Sequence, residues 1–257
     1  MKTSLVNIGP TLIVVLVLLV IIAMAVTAIA KQEQWKSMPW AAIRATLQLL
    51  AIAGILTLIV DNLWLVTLFV SVMAWIAAWT SSGRVAPHRF KPGTNDRLSR
   101  IRSATWSLLP VAGFPIMLVV CLVLVGVVPA NGIAIIPVAG IFIGNGMTLT
   151  TLTARRCHDE LSLRHGEVDA ALALGFARSQ ARLIVIRNAA VTALTPSIDS
   201  TRTVGVVTIP GAFVGMILGG ASLIDAAVMQ LFVMLGILAV AAVANYITTM
   251  LIAQNKL

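Results

Sequence analysis

The stretch "LIVIRNAAVTALTPSIDSTRTVGVVTIPGAFVGMILGG", residues 183–220, is the one on which the fold turns. It is apolar at both ends, yet "TPSIDSTRT" (Thr195–Thr203) and "IPG" (Ile209–Gly211) interrupt it. Pro196 removes a backbone donor and favours a break just after it. Asp199 and Arg202 follow, three residues apart. Non-helical backbone at membrane depth is tolerated only where it is buried in protein or lines a cavity. The stretch therefore reads as one discontinuous span, provided the rest of the chain is membrane protein.

The composition supplies that condition. Of 257 residues, 59% are hydrophobic and 11% charged, against about 25% charged in soluble domains. Mean hydropathy is +1.00. A soluble fold with so few charges could not cover its own surface. Apolar runs of the length a spanning helix needs occur at 8–30, 41–60, 63–83, 104–128, 133–154 and 222–253. With the interrupted stretch, the expectation is an all-α, polytopic integral membrane protein of about seven transmembrane helices, one of them discontinuous. The run from Ile8 to Ala30 is long enough to span and is followed by basic residues. It reads as an uncleaved first helix rather than a signal peptide. No linker or repeat divides the chain, so residues 1–257 read as a single transmembrane domain.

Net charge is +9, and its placement assigns sidedness. Arg84, Arg89, Lys91, Arg97, Arg100 and Arg102 crowd one loop, Lys31 and Lys36 another, and six arginines lie in 155–187. The alternate loops at 61–62, 129–132 and 219–222 hold no Lys or Arg. Basic loops stay on the cytoplasmic side. The expectation is an outside N-terminus, a cytoplasmic C-terminus and a multi-pass protein of a cell membrane (bacterial inner or plasma membrane). The basic residues serve topology, so the lipid bilayer, and not nucleic acid, is the expected partner.

Motifs of catalysis are missing. There is no G-x-x-x-x-G-K-[ST] phosphate loop, no H-E-x-x-H and no G-x-S-x-G. The chain has no P-loop route to ATP hydrolysis, and no catalytic residue is assigned. Cys121 lies in an apolar run and Cys157 in a charged loop, which argues against a structural disulfide. Cys157, His158, Asp159 and Glu160, with His165 nearby, offer thiolate, imidazole and carboxylate donors. They read either as a metal cluster or, more simply, as a solvated helix face with Arg partners.

A further polar segment has helical content. "EVDAALALG" (Glu167–Gly175) joins strong helix formers to Glu167 and Asp169, which suit a helix N-terminus. Gly175 ends the helix by taking a positive φ. A short helix that starts and stops inside the cytoplasmic segment 155–187 is expected.

Asp169-Ala170-Ala171, three residues, then Gly175 resembles the E-A-A-x-x-x-G loop of ABC transporter permeases, with Asp for Glu. The downstream I-x-L-P of that pattern is absent. "WAAIRATLQLLAIAG" (Trp40–Gly54), "IPVAGIFIGNGM" (Ile136–Met147), the stretch Ala171–Gly220 and "DAAVMQLFVM" (Asp225–Met234) together resemble the FetB family of iron-export ABC permeases. Plant relatives of that family act in aluminium tolerance. The resemblance covers most of the chain. It departs at Gly146, where the family has Ala in "GNAM", and at Ala212-Phe213, where it has two Met in "LPGMM".

The resemblance implies a permease subunit that exports metal ions, iron-like. It also implies a separate ABC ATPase docked around Glu167, Asp169, Ala170, Ala171 and Gly175, and a homodimer of this chain. No cofactor is expected in this chain; ATP and magnesium would bind the partner. Polar groups at membrane depth default to functional hypotheses, so Asp199, Arg202, Asn145, Arg44, Gln48, Met147 and Met216 are the candidates for a transport pathway or gate. Structural readings compete: Arg44 snorkelling, Asn145 as helix glue, Met as packing. An ion-coupled transporter or channel without an ATPase is the alternative function.

Overall fold

A computed structural model describes residues 9–85 and 96–257, with only the backbone described at 33, 34 and 96–100. His88, Arg89 and Lys91 of the basic loop lie outside the described residues. All regular structure among the described residues is helical. The chain divides between Asp61 and Asn62 into two compact units.

The first unit holds α1 (Pro10–Ile29), a 3-10 turn (Glu33–Ser37) and α2 (Met38–Ile59). Both long helices start with Pro in their first turn, where its missing N–H is no loss. Neither buries a side chain within the unit. Helices apolar all round and unburied by protein are what a bilayer accommodates.

The second unit is built around α6 (Gly132–Leu163), whose 32 residues run about 48 Å. Around it pack α3 (Leu63–Val85), α5 (Phe114–Leu124), α8 (Arg178–Thr203) and α10 (Leu223–Ala253). A π turn at Leu109–Gly113 joins α4 (Asp96–Leu108) to α5; Pro110, within it, accounts for the irregularity. Phe142, fully buried, centres one core cluster with Ile143, Val111, Ala139 and Val240. A second gathers Cys157, Ala154, Ile186, Ile252 and Leu257 at the other end of α6.

Close approach explains two glycines. A Cβ on Gly146 would stand 2.7 Å from the Val111 carbonyl, and one on Gly236 would stand 2.4 Å from Cζ of Phe142.

Six helical segments are long and apolar enough to cross a membrane: 10–29, 35–59, 63–85, 101–124, 132–163 and 223–253. These are the six uninterrupted runs of the sequence. The interrupted stretch becomes two helices, α8 and α9 (Gly211–Leu218). The break is displaced from its expected place. α8 continues through Pro196 to Thr203, because Ala189, Ala190, Ala193 and Ser197 keep one face buried. A proline costs a helix one hydrogen bond, which packing of that face offsets. The chain breaks instead at 204–210, where Gly205 takes φ +82° and Pro210 precedes α9.

Candidate functional site

α6 continues past its apolar portion as a polar extension, and there the chain turns sharply. Arg164 sits in the turn. Its Nε donates to Oε1 of Glu167 at 2.7 Å and its Nη1 to Oε1 of Glu160 at 3.0 Å. These bonds hold the Glu167 carboxyl below its usual range and push the guanidinium higher still. α7 (His165–Ala173) follows, nine residues long, with Glu167 in its first turn where the dipole favours negative charge. Gly175 at φ +89° ends it, as the sequence requires. The backbone N–H of Ala177 then donates to Oε1 of Gln180 at 3.1 Å, and α8 begins. The result is an elbow: one short helix held between two long ones.

α7 packs on α8 and leaves Asp169, Ala170 and Ala173 exposed, with Ala171 half-buried. Asp169 lines a recess between α7, the start of α8 and Asn255, beside His165, Arg178 and Arg182. Sequence reading missed the apolar groups here. Leu163 is 78% exposed, Leu174 79% and Phe176 45%, all beyond the apolar run at 133–154. The signal was available as apolar residues at both ends of a polar segment.

The second feature is the face of α8. Arg187, Asn188, Val191, Thr195, Asp199 and Arg202 are all exposed. They recur at spacings of one, three or four residues, so they form one stripe. The opposite face is buried on α6 and α10. Asn245 of α10 accepts from Thr153 Oγ1 at 2.8 Å and donates to the Ala190 carbonyl at 3.1 Å. Leu194 packs on Leu149, Ala241 and Ala244. These contacts fix depth. Asp199 lies about 7.5 Å beyond Leu194, level with Gly144, midway along the apolar part of α6. Its Oδ1 stands 3.6 Å from Nη1 of Arg202. The turn at 204–210 then also lies at membrane depth, closed by the Gly205 N–H donating to the Thr208 carbonyl at 2.9 Å.

The other candidates divide. Asn145 is half-buried and Nδ2 donates to the Ile141 carbonyl of its own helix at 2.8 Å; the close helix approach is made by Gly146 beside it. Met147 packs against the Phe142 cluster. Met216 is half-buried on α9, and Arg44 and Gln48 are exposed on α2. Among the described residues, no three His, Cys, Asp or Glu side chains stand together as a metal site. Cys157 is buried in the second core cluster, Glu160 is held by Arg164, and His165 Nδ1 lies 3.4 Å from the Ser162 carbonyl. Consecutive helical positions point about 100° apart, which disperses the "CHDE" donors. Cys157, His158, Asp159, Glu160 and His165 are thus not brought together: Cys157 faces the core while Asp159 and His165 are exposed.

A helical bundle with six membrane-length apolar segments defines the class: a multi-pass, all-α membrane protein. Residues 10–256 match the uncharacterised protein family UPF0014, and the chain belongs to that family. It is 30% identical over 234 residues to the UPF0014 membrane protein YjkA of Bacillus subtilis, covering 90% of this chain and 89% of that one. It is 28% identical over 232 residues to the probable iron export permease protein FetB of Escherichia coli, covering 90% and 85%. Identity to Protein ALUMINUM SENSITIVE 3 of Arabidopsis thaliana is 40% over 130 residues, covering 51% and 48%. The match thus spans about half the length of the plant relatives. No solved structure matches.

Proposed function

We propose that this chain is the membrane permease subunit of an ABC transporter, and that a separate ATP-hydrolysing chain docks on α7. The elbow carries the reading. A nine-residue helix closed by a positive-φ glycine is too short to span and presents Asp169, Ala170 and Ala173 outward. Small side chains let a partner approach closely, and Leu163, Leu174 and Phe176 give it apolar anchors. ATP and magnesium bind on that partner. Two copies of this chain pair so that the polar faces of α8 meet an aqueous passage instead of lipid. Asp199, Arg202 and the turn at 204–210 form its gate. The basic loops support an outside N-terminus, with the C-terminus and α7 in the cytoplasm.

Because α7 packs on α8, a push on the elbow moves the helix that carries the gate. Similarity to FetB of Escherichia coli, a probable iron export permease by name, supports a metal ion, iron-like, as outward cargo. The test begins with tagged chain purified from its own host's membranes. The chain that accompanies it should contain a phosphate loop and hydrolyse ATP. Movement of radiolabelled iron in inverted vesicles should stop when ATP is depleted. Iron movement that ignores ATP depletion and collapses with the proton gradient would replace this reading with ion-coupled transport.

A further inference from the structure

We infer that the cargo moves along the exposed face of α8 as an anionic, oxygen-rich species, a metal already wrapped by carboxylate ligands, and not as a bare metal cation. The inference rests on the permease reading above and concerns the form of its cargo. From Arg187 to Arg202 the stripe runs about 22 Å. It carries two guanidiniums against one carboxylate. That carboxylate, Asp199, is already held by Arg202 at 3.6 Å. Arg187 is exposed and has no carboxylate partner among the described residues. Between Asp169 and Asp225 the sequence holds no acidic residue except Asp199. The outer portion, 204–222, has no charged residue at all, so nothing downstream reverses the sign. A second copy repeats the same excess.

A bare divalent cation needs several donors to replace its water shell. This face does not supply them. No His, Cys or Met lies on it. The hydroxyl of Ser200 donates to the Ser197 carbonyl at 2.9 Å, and that of Thr203 to the Asp199 carbonyl at 3.0 Å. Met147 is packed in the core, and Met216 offers one thioether. A cation meets the exposed Arg187 at the cytoplasmic end of the face and Arg202 at membrane depth, and both repel it. The same guanidiniums match carboxylate oxygens in planar, two-pronged pairs. A metal held by citrate-like ligands presents those oxygens on its surface.

The experiment uses the full chain with its ATPase partner in proteoliposomes. ATP-driven movement of radiolabelled iron is compared for ferric citrate and for chelator-free ferrous ion. Ferric citrate should move about tenfold faster. Arg187→Gln should slow it about tenfold and Arg187→Lys should restore most of the rate, with monodispersity and thermal midpoint checked in each variant. Free ferrous ion moving as fast as the complex would overturn the inference. ATP-dependent movement of the free ion at the rate of the complex overturns it alone; movement of neither form with ATP overturns the permease reading with it.

Discussion

Two sets of glycines in this chain do opposite things. Gly146 and Gly236 have no room for a Cβ, being pressed against the Val111 carbonyl and the ring of Phe142. Gly205, Gly211 and Gly215 have nothing within 4 Å of where a Cβ would stand. The first set locks α6, α10 and the π turn into one body. The second lies on the broken α8–α9 arm, which packs on one side only. A transporter needs both: a fixed frame and an arm with space to change shape. The comparison teaches that small residues at membrane depth are not of one kind, and that packing, not spacing, tells them apart.

The comparison breaks most readily at the frame. Gly236→Ala should cost about 1–3 kcal/mol, as over-packing does, because Phe142 is fully buried and has nowhere to swing. Gly146→Ala should cost a similar amount, since its obstacle is backbone. A clear fall in the thermal midpoint in detergent checks both, and Phe142→Leu should rescue Gly236→Ala but not Gly146→Ala. Asn245→Ala comes next. It strips a donor from the Ala190 carbonyl and an acceptor from Thr153, at about 1–2 kcal/mol for loss of a buried hydrogen-bonding group.

On the arm, Gly215→Ala should change the protomer's stability by under about 0.5 kcal/mol. If a second copy packs there, crosslinking or light scattering should show weaker pairing in the same variant. The smallest effect is at the elbow. Glu167 has a depressed pKa because Arg164 donates to it. Its contribution is present at neutral pH and lost as pH falls through that lowered pKa, below the ordinary carboxylate range. Amide exchange in α7 should quicken over that acid window, and Glu167→Gln should flatten the response.

Much of this was legible in the sequence, for identifiable reasons. Long apolar runs such as 63–83 and 222–253 came within two residues of α3 and α10, because a bilayer sets helix length directly. Gly175 was readable because a helix stop with positive φ favours one residue type. The break near Pro196 was misplaced, since the sequence shows the proline but not the buried Ala189–Ala193 face that carries the helix past it. α6 overran its apolar run because polar residues do not end a helix; Arg164 and the turn after it do. The stripe on α8 needed packing to reveal which face was out. Leu163, Leu174 and Phe176 were lost inside a segment read for its charges. The "CHDE" donors adjoin in sequence, but successive helical positions point about 100° apart.

The most direct test of the central claim is made at Ala170. It is exposed on α7 and touches none of the core clusters. Ala170→Arg in the full chain, assembled with the proposed ATPase partner, should abolish stimulation of ATP hydrolysis by cargo while leaving the thermal midpoint of the membrane subunit unchanged. Cargo-stimulated hydrolysis at the unaltered rate, in a variant shown to carry arginine there, would contradict docking at the elbow.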